Sequence, residues 1–100
     1  MRVVARRGIS ADHPSLSGHF PGNPIVPGVV ILDEVFEALM AWRGPCAVTA
    51  MPAVKFLAPL RPAQEFAIDL SEAVPGRVVF RCTESSRPLA TGELEYEVLT

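Results

Sequence analysis

The sequence predicts an α+β domain in which one apolar helix is enclosed by a curved antiparallel β-sheet. Three observations carry that expectation. Residues 29–42 form a single apolar segment of helical length. After it, segments alternate apolar and polar residues with a period of two, the mark of half-buried strands. A lone helix apolar on almost every side needs apolar surface around it, and a curved sheet supplies most of that, with a second subunit able to supply the rest.

Taken in order, residues 2–10 carry Val3, Val4 and Ile9 and are expected to form a strand ending near Gly8. Residues 11–27 are too rich in Pro, Gly and Ser for regular structure, and so long a loop in a small domain points to function. From Val29 the apolar residues Val30, Ile31, Leu32, Val35, Phe36, Leu39, Met40 and Trp42 leave almost no polar face, which predicts a helix buried on nearly all sides. Gly44-Pro45 ends it. At 1.5 Å per residue the helix spans roughly 21 Å, enough to cross a small sheet.

Four strands are expected next. Residues 47–57 are apolar on both alternating faces, and Pro52 places that strand at an edge or a bulge. Residues 65–73 point Phe66, Ile68 and Leu70 inward. Pro75-Gly76 turns the chain into a strand whose inward set is Val78, Phe80 and Cys82. After a turn at residues 85–88, Ala90, Gly92, Leu94, Tyr96 and Val98 oppose Thr91, Glu93, Glu95 and Glu97.

The 100 residues are read as one domain spanning residues 1–100. Hydrophobic residues make up 49% and charged residues 20%, and so apolar a short chain is expected to share its core with a partner subunit. A net charge of −2 gives no field suited to nucleic acid or an anionic membrane. Cys46 and Cys82 have no metal-site or CxxC spacing and read as two buried thiols. Neither a signal peptide nor a membrane span is legible, so a cytoplasmic protein is expected.

The chemistry gathers in residues 18–39. His19 sits in a loop where Pro21, Pro24 and Pro27 fix φ at three positions, a stiffness suited to holding a catalytic base. Asp33 lies past the first helical turn among apolar neighbours, where loss of water favours the protonated carboxyl, and Glu37 one turn on pushes the same way. Glu34 is expected to face solvent. At Pro27-Gly28-Val29 the first helical amides point outward at the positive end of the dipole, and Gly28 lets a carbonyl approach closely. A base, an acid and a carbonyl-polarising helix end suit proton abstraction beside a carbonyl with loss of a β-hydroxyl.

The run HFPGNPIVPG (residues 19–28), followed by VVILD, resembles the β-hydroxyacyl-acyl carrier protein dehydratases of the FabA/FabZ type. Their signature is HFPxxPxxPG with an acid fourteen residues after the histidine, here Asp33 (33 − 19 = 14). VKFLAPLRPAQEF (residues 54–66) is similar to that family's central strand and turn, with Ala63 where glycine is common. The resemblance implies a hot-dog fold and a homodimer, or an assembly of dimers, acting on an acyl carrier protein-bound substrate. It pairs His19 of one chain, as base, with Asp33 of the other, as acid. It implies carbonyl binding at the amides of Gly28 and Val29, a substrate pocket that includes Phe20, Pro27 and Glu37, and no metal or cofactor. Glu37 stands where the family usually has glutamine, and the chain is shorter than typical members, so the elements closing an acyl tunnel are expected to be reduced.

Other residues have less pointed roles. His13 suits loop packing or the entrance to the site, and Lys55 and Arg61 could meet an acidic carrier or a pantetheine phosphate. Two alternatives stand beside this: a hot-dog acyl thioesterase, which suits the HFPG loop poorly because hydrolysis needs a group aimed at the carbonyl carbon rather than a base at the α-carbon, and a non-catalytic acyl- or carrier-binding subunit, the latter if Glu37 were bound to a basic residue and blocked the pocket.

Overall fold

The computed structural model describes residues 1–10 and 25–99. It contains β1 (Arg2–Gly8), α1 (Gly28–Arg43), β2 (Cys46–Phe56), β3 (Glu65–Val74), β4 (Arg77–Glu84) and β5 (Arg87–Val98). The five strands form one sheet in the order β1-β3-β4-β5-β2, and every neighbouring pair is antiparallel. One helix against one antiparallel sheet is the expected α+β architecture.

Alternation sets the two faces of the sheet. Phe66, Ile68 and Leu70 of β3, Val78, Phe80 and Cys82 of β4, and Ala90, Leu94 and Tyr96 of β5 are buried on the side that packs on α1. Val98, expected inward, is exposed at the last position of β5, where it pairs with Cys46 at the start of the edge strand. Of the two thiols, Cys82 is buried and Cys46 only half-buried on the edge strand. The opposite face carries cross-strand ion pairs, Arg2–Asp69, Arg6–Glu65 and Arg77–Glu95.

The helix departs from the all-round burial expected of it. Val30, Ile31, Leu32, Val35, Ala38 and Leu39 are buried, each such apolar side chain larger than alanine contributing about 1.5–3 kcal/mol. Val29, Asp33, Glu37 and Met40 are exposed on the other side. The sheet of one chain covers one face of a helix, and the remaining stripe stays open to solvent. The helix ends where Gly44 adopts φ 81° and its N–H donates to the Met40 carbonyl at 2.8 Å.

β2 is an edge strand, as Pro52 requires, and its register against β5 shifts between Val48 and Ala50 and again between Ala50 and Ala53. Here the Ala53 carbonyl oxygen occupies the place where a Cβ on Gly92 would stand, with the Phe80 ring 2.7 Å from that position. Only a residue without a side chain fits there. Ala63, by contrast, has φ 64°, the left-handed region that favours glycine.

The far end of α1 is tied to the sheet through Glu72, which continues the inward set of β3. Its carboxylate accepts from the Tyr96 hydroxyl at 2.6 Å, Arg43 Nε at 2.8 Å and the Gly76 N–H at 2.9 Å. Burial works against the ionised form, but the hydrogen bonds from Tyr96, Gly76 and Arg43, with the charge of Arg43, outweigh it and hold this carboxyl below its usual range.

Three substitutions test these contacts. Gly92→Ala is expected to cost about 2 kcal/mol through overpacking, and Ala63→Gly to add about 0.5–1 kcal/mol, both measured by urea unfolding. Because the folded pKa of Glu72 is depressed, its contribution is present above the ordinary carboxylate range and is lost as pH falls through the folded value. Glu72→Gln should therefore flatten the acid limb of the stability–pH curve; an unchanged limb would refute that role.

Candidate active site

The start of α1 is set by its neighbours rather than by a cap. The Val26 N–H donates to the Leu60 carbonyl at 2.9 Å, and both residues are buried, which pins the approach to the helix on the turn after β2. Pro27 is the N-cap residue, has no side-chain acceptor, and is followed by no acid in the first turn. The first helical hydrogen bond runs from Val30 N–H to the Pro27 carbonyl at 3.0 Å. The amides of Gly28 and Val29 have no hydrogen-bond partner among the described residues, and at a helix N-terminus they suit a carbonyl oxygen or a developing oxyanion.

Beside this end lies an apolar groove of about 540 Å³, lined among others by Ile25, Val29, Ile31, Phe56, Leu57 and Pro59. Phe56 ends β2 and its ring rests against Gly28: a Cβ at Gly28 would stand 2.6 Å from two atoms of that ring. Nothing in the residues around Phe56 singles it out beyond its place in a strand. The signal was its position immediately before the 57–64 turn that also holds Val26.

The expected site residues are placed as follows. His19 and Phe20, with His13, lie outside the described residues. Gly28 and Val29 form the first turn of α1. Asp33 is exposed on the uncovered stripe of the helix, not enclosed among apolar neighbours, because its side of α1 is the one the sheet leaves open. Glu37 is exposed one turn further and makes no ion pair among the described residues. The condition named for a blocked, non-catalytic pocket is therefore not met there. Among the described residues no group of three His, Cys, Asp or Glu could hold a metal ion, and no helix is long and apolar enough to cross a membrane.

Glu34 corrects the expectation most. It does not face solvent: its side chain is 20% exposed and lies 3.6 Å from Arg7 Nε. Arg7 is an inward position of β1, whereas its neighbour Arg6 points to the outer face, so strand alternation splits the one adjacent arginine pair. Burial, then the charge and hydrogen bond of Glu37, push the Glu34 carboxyl up; Arg7 opposes them without cancelling them. A carboxyl with a raised folded pKa favours folding most while protonated, and that contribution falls away as pH rises from the ordinary carboxylate range through the raised value. Glu34→Gln should therefore lose less stability between about pH 4 and pH 7 than the unsubstituted protein, read from unfolding midpoints across that range. A steeper loss in the variant would overturn the sign.

Comparison with known proteins identifies the architecture and the family. The ApeI-like family model, described as ApeI dehydratase, matches residues 1–93. The chain is 39% identical over 54 residues to the 3-hydroxyacyl-acyl-carrier-protein dehydratase FabZ of Enterococcus faecalis, a match covering 54% of this chain and 35% of that protein. It is 28% identical over 108 aligned positions to the FabZ of Chlamydia trachomatis serovar D, covering 94% of this chain and 71% of that one. The chain thus spans about a third of the first of these relatives and more of the second. Among solved structures, the dehydratase heterocomplex ApeI:P from Xenorhabdus doucetiae superposes with a TM-score of 0.82 at 21% identity, over 95% of this chain and 86% of that one. These likenesses establish the hot-dog fold, and the chain belongs to the ApeI-like dehydratase family, of the FabA/FabZ type.

Proposed function

We propose that the chain removes water from a 3-hydroxyacyl thioester carried on acyl carrier protein, giving the trans-2-enoyl thioester in fatty-acid or polyene-type synthesis. The family match over residues 1–93 carries this, because it runs through His19, Asp33, the helix and all the strands up to the middle of β5. The thioester carbonyl accepts from the amides of Gly28 and Val29, which acidifies the adjacent α-carbon. The His19 imidazole takes the α-proton. The electron pair left behind forms the Cα–Cβ double bond as the Cβ–O bond breaks, and the Asp33 carboxyl protonates the departing hydroxyl, so that water leaves. No metal or cofactor is needed to balance the step.

Asp33 serves as an acid only if it carries a proton, and a carboxyl shielded from water holds its proton more firmly. A second chain covering Val29, Asp33, Glu37 and Met40 provides that shield. A homodimer, or an assembly of dimers, in which His19 of one copy faces Asp33 of the other fits the open stripe. The exposed apolar Met51 on the edge strand β2 supports an assembly as well, as does the heterocomplex in which the similar ApeI chain is found. Phe20, Pro27 and Glu37 complete the pocket in this scheme. Lys55 and Arg61 make no ion pair among the described residues, which leaves them available to an acidic carrier in the cytoplasm.

The test is incubation of the protein with a 3-hydroxyacyl-pantetheine thioester, with enoyl product and free thiol measured separately. Enoyl thioester should form, and His19→Ala and Asp33→Asn should each lower the rate by about 10²–10⁴-fold. Free thiol without enoyl product would make the chain a thioesterase. Tight acyl binding without turnover would make it a binding subunit.

A further inference from the structure

We propose that Phe56, held against the bare Cα of Gly28, is the residue that sets how much bulk an acyl thioester may carry on the carbon next to its carbonyl, and that it selects unbranched chains. The proposal rests on the carbonyl site at Gly28 and Val29 and deepens it.

Side chains on a helix lean toward its N-terminus, so the direction in which a Cβ on Gly28 would point leads toward the open end of α1. That direction is filled by the edge of the Phe56 ring, with two ring atoms 2.6 Å and a third 3.0 Å from the Cβ position. The ring therefore stands beside the place where a carbonyl bound to the first amides must lie. The carbon attached to that carbonyl is the next atom out, and it enters the groove of Ile25, Leu57 and Pro59, of which the Phe56 ring is the wall beside Gly28. An unbranched carbon slides past an aromatic edge, whereas a methyl branch needs the volume that the ring occupies.

Phe56 is not a core residue that merely fills space. It is 52% exposed, while the buried core of the sheet closes without it around Phe66, Phe80 and Leu94. What holds it in place is backbone: Leu57 N–H donates to the Leu89 carbonyl at 2.7 Å, and Phe56 pairs with Ala90 across β2 and β5. The glycine and the ring are complementary, since any side chain at position 28 would displace the ring or be displaced by it.

Binding of saturated hexanoyl-pantetheine and 2-methylhexanoyl-pantetheine, measured by calorimetry, tests this without any turnover. The protein should bind the straight chain at least tenfold more tightly, the lower end of what one carbon makes in a hydrophobic site. Phe56→Ala should reduce that preference to less than threefold and Phe56→Leu to an intermediate value, with circular dichroism confirming that both are folded. Gly28→Ala should weaken both ligands, and adding Phe56→Ala to it should restore straight-chain binding at least in part. An equal preference in Phe56→Ala and the unsubstituted protein, no recovery in the double variant, or no binding of either thioester would overturn the proposal. Enoyl formation from the 3-hydroxy substrate is read separately. Dehydration without chain discrimination sinks only the role of Phe56, and discrimination without dehydration sinks only the reaction.

Discussion

The helix α1 carries more apolar surface than five strands can cover, and the rest of the molecule is arranged around that mismatch. Its buried side closes the core with Val35 and Leu39 fully out of water. Its other side leaves Val29 and Met40 in solvent together with Asp33 and Glu37. A residue on that stripe has two environments open to it, water in one chain and a shared interior in an assembly. Carboxyl groups respond strongly to that difference, so an acid placed there can be tuned by association in a way that a core or surface acid cannot.

The geometry at the N-terminal end depends on contacts far away in sequence. With a side chain at position 92, the bulged part of β2 could not come so close to β5. That approach fixes where β2 ends, and its last residue, Phe56, lands on Gly28. The turn that follows is tied at three points: Ala58 N–H to the Leu89 carbonyl at 3.3 Å, Val26 N–H to Leu60 at 2.9 Å, and Ala63 N–H to Ile9 at 2.7 Å. The start of the helix, the end of β1 and the start of β5 are therefore gathered at one place by backbone hydrogen bonds. The uncapped amides need this, because with no capping side chain the orientation of the first turn has to be imposed by its surroundings.

Much of this was legible in the residues because local periodicity and breakers report local structure. The alternation of Phe66, Ile68 and Leu70, the stop at Gly44-Pro45 and the edge position of Pro52 all came from short-range rules, and the structure agrees with them. Glu72 could have been read the same way, since it continues the inward phase of β3 and an inward acid needs partners; Tyr96 and Arg43 supply them. The misplaced residues are those whose surroundings depend on long-range pairing. Glu34 turned inward because β1 docks beside β3 and presents Arg7, and nothing within four residues of Glu34 announces that. Asp33 is expected in an apolar setting because its neighbours along the chain are apolar, yet burial is decided by what faces a residue, and the sheet does not cover the side of α1 that carries Asp33. The left-handed φ of Ala63 gives a physical reason for the glycine common at that position in the family, a point the sequence could register only as a departure.

Charge is distributed so that the outer face and the helix stripe differ in kind. Across the sheet, Arg2–Asp69, Arg6–Glu65 and Arg77–Glu95 neutralise one another, and at the β4–β5 turn Glu84 pairs with Arg87. Exposed pairs of this sort add little stability, so their effect is mainly to leave a wet, balanced surface. The inward-facing cations are committed too, Arg7 to Glu34 and Arg43 to Glu72. Among the described residues Asp33 and Glu37 are in no such pair. A carboxylate held by an arginine is a poor proton donor, because the cation stabilises the ionised form. Among the described residues the acid proposed at Asp33 is left without a cation, while its neighbour Glu34 is the carboxylate that meets Arg7.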